Sequence, residues 1–376
     1  MSIFSVEDSR YMARALQLAA RGLYTADPNP RVGCVLVKDG HIVGEGWHER
    51  AGEAHAEVRA LLMAGDRAKG ATAYITLEPC AHQGRTPPCS RALLKAGIAR
   101  VVAAMEDPNP LVSGRGLAEL KANGVQVAWG LMAKQATELN PGFVKRMREK
   151  RPYVRCKLGV SLDGRTAMPS GESKWITGEA ARADVQRLRA RSSAVMTGIG
   201  TVLADDPNFT VRPEQFLGER YPGGTVRQPL RVVVDPHLSM PEKARMLTAP
   251  GKTLIATSSD DQDVAEVLQG KGAEVMRFPG TWDTVDLASV LDLLATREVN
   301  EVLVETGATL AGSLLKAGLV DELVVYLAPL LMGDGARGMF RLPGLTLLED
   351  AIQLEIRDVR PLGRDWRVEA VVAPRR

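Results

Sequence analysis

Three residues with metal-binding side chains, His55, Cys80 and Cys89, lie in the first quarter of the chain, and a carboxylate, Glu57, follows the histidine two positions on. One imidazole and two thiolates suit zinc, whereas calcium and magnesium prefer oxygen. A structural zinc closes its shell with four protein ligands; a catalytic zinc keeps three and leaves a position for water. Zinc lowers the pKa of that water to about 7, so hydroxide becomes available near neutral pH. A nearby carboxylate can accept the water's proton and return it to a leaving nitrogen, which makes Glu57 the candidate catalytic acid–base. The competing arrangement is a closed knuckle in which His48 or His82 completes the shell.

The order His55-x-Glu57, Pro79-Cys80, Cys89 follows the signature of zinc-dependent base deaminases, although the usual Cys-x-x-Cys is replaced by a longer insert, Ala81 to Pro88. The stretch Pro79-Cys80-Ala81-His82-Gln83-Gly84-Arg85-Thr86-Pro87-Pro88-Cys89 resembles the long-spaced zinc motif of the bifunctional deaminase–reductases of riboflavin biosynthesis. Pro28-Asn29-Pro30-Arg31-Val32-Gly33 and Glu106-Asp107-Pro108-Asn109-Pro110 resemble two further loops of that family. The resemblance implies a cytidine-deaminase-like α/β/α sandwich acting on 2,5-diamino-6-(5-phosphoribosylamino)pyrimidin-4(3H)-one. It also implies a pyrimidine pocket lined by Asn29, His82, Asp107 and Asn109. Taken without the family, the Asn and Asp residues of these Pro-rich stretches serve turns.

A second constellation lies after residue 300. Glu305-Thr306-Gly307-Ala308-Thr309-Leu310-Ala311-Gly312-Ser313 follows an apolar strand and opens a helix. Small residues at such a turn let backbone N–H groups approach a phosphate at the positive end of the helix. The stretch is neither Gly-x-Gly-x-x-Gly nor a Walker loop, and by itself reads equally well as a tight turn. The family resemblance continues through Lys157 to Arg165, Glu172 to Thr177, Arg189 and Gly200 to Pro207. It implies a dihydrofolate-reductase-like α/β domain that uses NADPH. Carried over by position, Gly159, Trp175, Thr201, Asp205, Gly307, Ala308, Thr309, Leu310, Ala311, Gly312 and Ser313 would contact the cofactor. Ser173, Arg189, Phe209, Arg212 and Glu305 would contact the substrate. Arg189 and Arg212 suit a phosphate, since a guanidinium fork binds two oxygens at once. From pattern alone Arg189 is also one solvated base on a helix, Trp175 a core aromatic and Asp205-Asp206-Pro207 a turn.

These residues need elements to hold them. Asp39-Gly40 between the apolar runs Arg31–Lys38 and His41–Trp47 predicts a hairpin. Helices are expected over Val6–Arg21, Ala54–Ala64, Ser90–Ala96 and Leu117–Asn123, and strands over Thr72–Leu77, Arg100–Met105 and Val125–Trp129. The basic run Lys145 to Arg151, stopped by Pro152, predicts a solvated linker helix. The boundary is therefore set there: residues 1–150 for the deaminase and 151–376 for the NADPH-dependent reductase. In the second domain strands are expected at Val154–Val160, Val195–Gly198, Leu230–Asp235, Thr253–Thr257, Glu274–Arg277, Glu301–Glu305, Glu322–Leu327 and Arg367–Val372. Helices are expected at Gly178–Ala190 and Leu310–Ala317, with a turn-rich loop at Gly218–Val226. Alternating strands and helices predict α/β architecture throughout.

A chain of 376 residues exceeds the usual single core, consistent with two domains. Its 48 basic and 45 acidic residues are too balanced to predict a nucleic-acid surface. No apolar run approaches the roughly 20 residues of a membrane span, and the N-terminus lacks signal-peptide character, so a cytoplasmic protein is expected. Four cysteines do not make a disulfide scaffold; Cys34 and Cys156, in apolar strands, read as buried hydrophobes. The expected partner is a small phosphorylated pyrimidine, with no nucleic acid or membrane, in a homo-oligomer. The alternative reading is a nucleoside or tRNA deaminase with a non-catalytic second domain.

Overall fold

The computed structural model describes residues 4–81, 88–110, 112–216 and 221–373, and it divides into units spanning Met1–Arg151 and Pro152–Arg376. The elements of the first unit are α1 (Val6–Ala20), β1 (Gly33–Lys38), β2 (His41–Trp47), α2 (Ala56–Ala64), β3 (Thr72–Ile75), α3 (Cys89–Lys95), β4 (Arg100–Ala103), α4 (Arg115–Ala122), β5 (Gln126–Trp129), α5 (Ala133–Leu139) and α6 (Pro141–Glu149). The sheet order is β2-β1-β3-β4-β5. The β1–β2 and β1–β3 pairs are antiparallel, whereas β3–β4 and β4–β5 are parallel.

Alternation along β1 shows how the sheet separates two cores. Cys34 and Leu36 join one cluster with α2, α3 and α4; Val35 and Val37 join another with α1, α5 and α6. Successive strand side chains point to opposite faces, so an all-apolar strand needs helices on both sides. Glycines set how closely these layers approach. A Cβ on Gly33 would lie 2.0 Å from the Ala15 carbonyl oxygen of α1. Cβ atoms on Gly44 and Gly46 would lie 2.2 Å from the Ala60 oxygen and 2.4 Å from the Ala56 oxygen of α2.

The charge run at 145–151 forms the last turns of α6 and its C-cap Lys150, with Arg148, Glu149 and Lys150 exposed as a solvated helix requires. The helix is also anchored: Phe143 and Val144, just before the run, are buried in the second cluster. Asn140 fastens the helix entry by accepting from Arg31 N at 2.8 Å and donating to Arg31 O at 3.0 Å.

The second unit carries a nine-stranded sheet in the order Ala273–Arg277, Thr253–Thr257, Leu230–Val234, Ala194–Gly198, Glu301–Glu305, Tyr153–Ser161, Glu322–Ala328, Asp365–Val372, Leu354–Leu362. The strands are parallel up to Glu322–Ala328, and the closing hairpin is antiparallel. Helices Leu287–Thr296 and Ala308–Lys316 cover one face; Glu179–Arg191, Ile199–Asp205 and Gln262–Gly270 cover the other. Cys34 and Cys156 are both buried.

Candidate active sites

His55 is the N-cap of α2, so its ring leaves the helix before the first turn while Glu57 sits within that turn. The close α2–β2 contact at Gly44 and Gly46 holds this helix end against the sheet. Cys80 follows the end of β3, and Cys89 is the first residue of α3, with Pro88 as its N-cap. The Cys89 N–H donates to Cys80 Sγ at 3.4 Å. Ser90 donates its backbone N–H to the Cys80 carbonyl at 3.2 Å and its hydroxyl to Glu119 at 2.5 Å.

These elements bring the three metal-binding side chains together. His55 Nδ1 lies 3.3 Å from Cys89 Sγ and 3.7 Å from Cys80 Sγ. A tetrahedral zinc at ordinary bond lengths requires nitrogen–sulfur edges of about 3.5 Å, so the donor set fits that ion. Among the described residues this is the one cluster with metal-ligand spacing. The Cys80 thiol is held well below its ordinary range, chiefly by the hydrogen bond from Cys89, with His55 assisting; Cys89 is pushed up by the same shared proton and by burial. Glu57 is 3% exposed, and burial raises its carboxyl to about 7, within reach of both protonation states near neutrality.

His48 does not complete a closed shell. Its Nε2 meets Asn29 Nδ2 at 3.0 Å and its Nδ1 meets the Ala54 carbonyl oxygen at 3.3 Å, so both ring nitrogens are engaged. Asn29 as donor fixes a neutral ring with its proton on Nδ1, and burial lowers the ring's pKa accordingly. The ring packs edge-on against His55 with centroids 5.4 Å apart. Asn29 thus stands beside the metal cluster through His48, a role that the sequence did not announce. His82 lies outside the described residues.

Asp107 and Asn109 follow β4. Asp107 is 8% exposed, and burial raises its carboxyl to about 6; its Oδ1 accepts from Asn109 N at 2.8 Å. Glu78, which precedes the Pro79-Cys80 turn, is also buried, at 3% exposed. Its carboxylate accepts from the backbone N–H of Asp107 at 3.0 Å, Gly114 at 2.9 Å, Gly116 at 2.8 Å and Leu117 at 3.3 Å.

In the second unit, charges alternate with apolar residues along the central strand. Val154, Cys156, Leu158 and Val160 enter one core, leaving Arg155, Lys157 and Gly159 on the opposite face. Lys157 pairs in register with Glu305 on the neighbouring strand. Arg189 donates to both oxygens of Glu305, at 2.6 and 2.9 Å, and its guanidinium lies 5.3 Å from the Phe209 ring centroid. Burial works against the Glu305 charge, but Arg189 and Lys157 hold its pKa below the usual range. Desolvation lowers Lys157. Arg212 is anchored through its N–H to Gln186 Oε1 at 3.0 Å, and its charge is felt at Glu305. Lys157 was absent from the sequence-based residue set; a lysine alternating with buried apolar residues was the available signal.

Trp175 is 70% exposed, so it is not core; the Arg182 guanidinium lies 4.8 Å from its ring centroid. Ser173 and Trp175 lie in the segment before helix Glu179–Arg191, whose first N–H groups meet the closing hairpin: Gly178 N donates to Asp365 at 2.7 Å. Asp205 ends helix Ile199–Asp205, which also carries Thr201, and its carboxylate is 3.4 Å from Lys174 Nζ. Asp205-Asp206-Pro207 turns the chain out of this helix, with Asp206 as its left-handed cap at φ 42°.

Gly307 caps helix Ala308–Lys316, and nothing lies within 4 Å of where its Cβ would be. The neighbouring strand end is tied to it, since Gly198 N donates to Thr306 Oγ1 at 3.2 Å. This open helix start, beside the likewise open Gly200, fits a nucleotide phosphate. Ala308, Thr309 and Leu310 form its first turn, and Ser313 lies farther along the same helix. Ala311 and Gly312 turn inward: Ala311 is core, and a Cβ on Gly312 would lie 2.2 Å from the Arg341 carbonyl oxygen.

Comparison with known proteins agrees with both halves. Residues 5–105 match the cytidine and deoxycytidylate deaminase zinc-binding region, and residues 152–368 match the RibD C-terminal domain. The chain is 53% identical to the Escherichia coli riboflavin biosynthesis protein RibD over 364 residues, covering 96% of this chain and 98% of that protein. It is 50% identical to the Haemophilus influenzae protein of the same name, covering 97% of each. Its structure resembles form 1 of Acinetobacter baumannii RibD, with TM-score 0.90, 45% identity and coverage of 98% and 99%. A Thermotoga maritima diaminohydroxyphosphoribosylaminopyrimidine deaminase/5-amino-6-(5-phosphoribosylamino)uracil reductase gives TM-score 0.83 at 31% identity, with coverage of 98% and 99%.

Proposed function

This chain belongs to the RibD family of bifunctional deaminase–reductases of riboflavin biosynthesis, and we propose that its two units carry the two reactions at the sites described above. It is an enzyme with a zinc-binding deaminase site and a reductase domain whose family implies NAD(P)H. The reading of the second domain as non-catalytic gives way to the family match over 152–368.

In the first unit the substrate is 2,5-diamino-6-(5-phosphoribosylamino)pyrimidin-4(3H)-one, which exchanges an amino group on an amidine-like ring carbon for oxygen and releases ammonia. Zinc, when bound, supplies the Lewis acidity that makes a water nucleophilic near neutral pH. His55, Cys80 and Cys89 hold the metal. Glu57 takes one proton of the attacking water on a carboxylate oxygen and gives it to the ring nitrogen, then carries the remaining hydroxyl proton to the amino group, which leaves as ammonia. Asn29, Asp107 and Asn109 line the pyrimidine pocket, and the family resemblance adds His82, which lies outside the described residues. The observation that carries this reading is the convergence of His55, Cys80 and Cys89 at metal-ligand spacing, with the buried Glu57 carboxyl two residues after His55.

In the second unit the aminouracil's ring-opened ribosyl group is an imine; NADPH, when bound, would supply hydride to its C1′ carbon while the imine nitrogen takes up a proton. Gly159, Trp175, Thr201, Asp205 and the open start of helix Ala308–Lys316 orient the cofactor. Ser173, Phe209, Arg212 and the Arg189–Glu305 pair hold the phosphorylated sugar, with Lys157 beneath them. Assembly as a homo-oligomer and a cytoplasmic setting complete the proposal. The first is supported by the half-exposed apolar side chains Leu354, Ile356, Val359 and Trp366 on the edge hairpin. For the second, no helix among the described residues is long and apolar enough to cross a membrane.

The test is ammonia release from the zinc-loaded protein with the diaminopyrimidine phosphate. Glu57→Gln is expected to lower release by about 10²–10⁴-fold while zinc remains bound. Chelation is expected to stop ammonia release yet leave NADPH oxidation with the aminouracil intact. A silent wild-type protein would overturn the deaminase reading.

A further inference from the structure

Glu78 has no place among the metal ligands or the proposed acid–base group, yet it is 3% exposed and its carboxylate collects four backbone N–H groups. A buried carboxylate is costly unless its lone pairs are occupied, and here they are. The four donors come from two places. Asp107 N lies just after β4, in the segment that carries Asn109. Gly114, Gly116 and Leu117 form the N-terminal turn of α4, whose N-cap, Gly114, has no side chain to cap it. Glu78 thus caps α4 from another element, and the helix's positive end favours its charge.

Its own backbone leads directly into Pro79 and Cys80. The fit between these segments is tight: a Cβ on Gly116 would stand 1.9 Å from the Pro79 carbonyl oxygen and 3.3 Å from Glu78 Oε1. One carboxylate therefore fastens the Cys80 turn, the Asp107–Asn109 segment and the start of α4 to one another.

We propose that Glu78 is a positioning residue of the deaminase, setting the distance between the metal-binding turn and the pocket segment that carries Asp107 and Asn109. The proposal rests on the pyrimidine-pocket reading above. A glutamine is the informative replacement. It keeps the size and one acceptor oxygen but turns an NH₂ toward N–H donors. Either Asp107 and Gly114, which share Oε2, or Gly116 and Leu117, which share Oε1, then lose their acceptor, and the clamp between the segments loosens. Misplacing a binding group by about 1 Å can cost about 10²-fold in rate.

The experiment uses the full-length zinc protein with Glu78→Gln and measures zinc per chain, ammonia release and NADPH oxidation with the aminouracil. The expected result is full zinc, unchanged reductase turnover and a deaminase kcat/KM lowered by about 10–100-fold, mostly through KM. Unchanged deaminase kinetics, or a fall that only tracks zinc loss, overturns the proposal. Should this variant fail to fold, Glu78→Asp, which keeps the charge but shortens the reach, is read by the same criteria. Asn109→Ala, measured alongside, separates the two claims. A normal KM there with a raised KM in Glu78→Gln faults the pocket assignment of Asn109 and leaves the role of Glu78 standing.

Discussion

The Arg189–Glu305 pair gives the sharpest test of the reductase site. Both side chains are largely buried, 13% and 9% exposed, and two bonds of 2.6 and 2.9 Å make the contact bidentate. Charges about 4 Å apart attract by about 4 kcal/mol at an effective dielectric constant of about 20. Removing one member of such a pair costs about 3–5 kcal/mol, because the other charge stays buried alone. Arg189→Ala leaves Glu305 with Lys157 as a nearby cation, which places the expected loss near the lower figure, about 3 kcal/mol. Arg189→Met combined with Glu305→Gln leaves no lone charge and is expected to cost less than Arg189→Ala. Calorimetry of the full chain reads this, with the second unit's transition identified by its upward shift on adding NADPH. Losses that simply add, or a loss under about 0.5 kcal/mol for Arg189→Ala, would refute the reasoning. If the guanidinium instead held the sugar phosphate with little stake in Glu305, the variant would raise KM and leave the transition in place.

Two further outcomes follow from packing and charge in the first unit. Gly46→Ala puts a Cβ 2.4 Å from the Ala56 carbonyl oxygen and 2.6 Å from the Ala60 nitrogen. It is expected to cost about 1–3 kcal/mol and to weaken zinc retention, since α2 carries His55; thermal unfolding and metal analysis check both. Asp8 accepts from Arg100 at 2.7 and 3.0 Å and from Tyr74 at 2.7 Å, and Arg100 holds its carboxyl well below the ordinary 3.8. A depressed carboxylate stabilises the fold fully above its unfolded pKa, and that contribution is lost as pH falls below it. Asp8→Asn should therefore flatten the acid limb of a stability–pH curve between about pH 4 and 2, and an unchanged limb would contradict the assignment.

The metal cluster was legible because His and Cys are scarce, five and four in the chain, and their spacing with Glu57 is local. The hairpin at Asp39-Gly40 and the alternating apolar strands were legible for the same local reason. What escaped depends on contacts far apart in sequence. Four N–H donors from residues 107–117 give Glu78 its significance, and no local pattern around Glu78 encodes them. Phe143 and Val144 bury one side of α6, but the basic residues after them dominated the sequence pattern. Helices Gln262–Gly270 and Leu287–Thr296 did carry a local signal that went unread: Asp261 and Asp286, whose side chains cap them. The strand Leu354–Leu362 interleaves four charges and Pro361 with its apolar residues, so neither alternation nor an apolar run marks it.

The seating of α6 has a practical consequence for anyone wishing to express the two activities as separate polypeptides. A gene divided near residue 139, ahead of the basic run, would strip the first half of the Phe143 and Val144 plug and of both bonds between Asn140 and the Arg31 backbone. Dividing it between Arg151 and Pro152 keeps that plug with its socket and leaves the other half to begin at the strand Tyr153–Ser161.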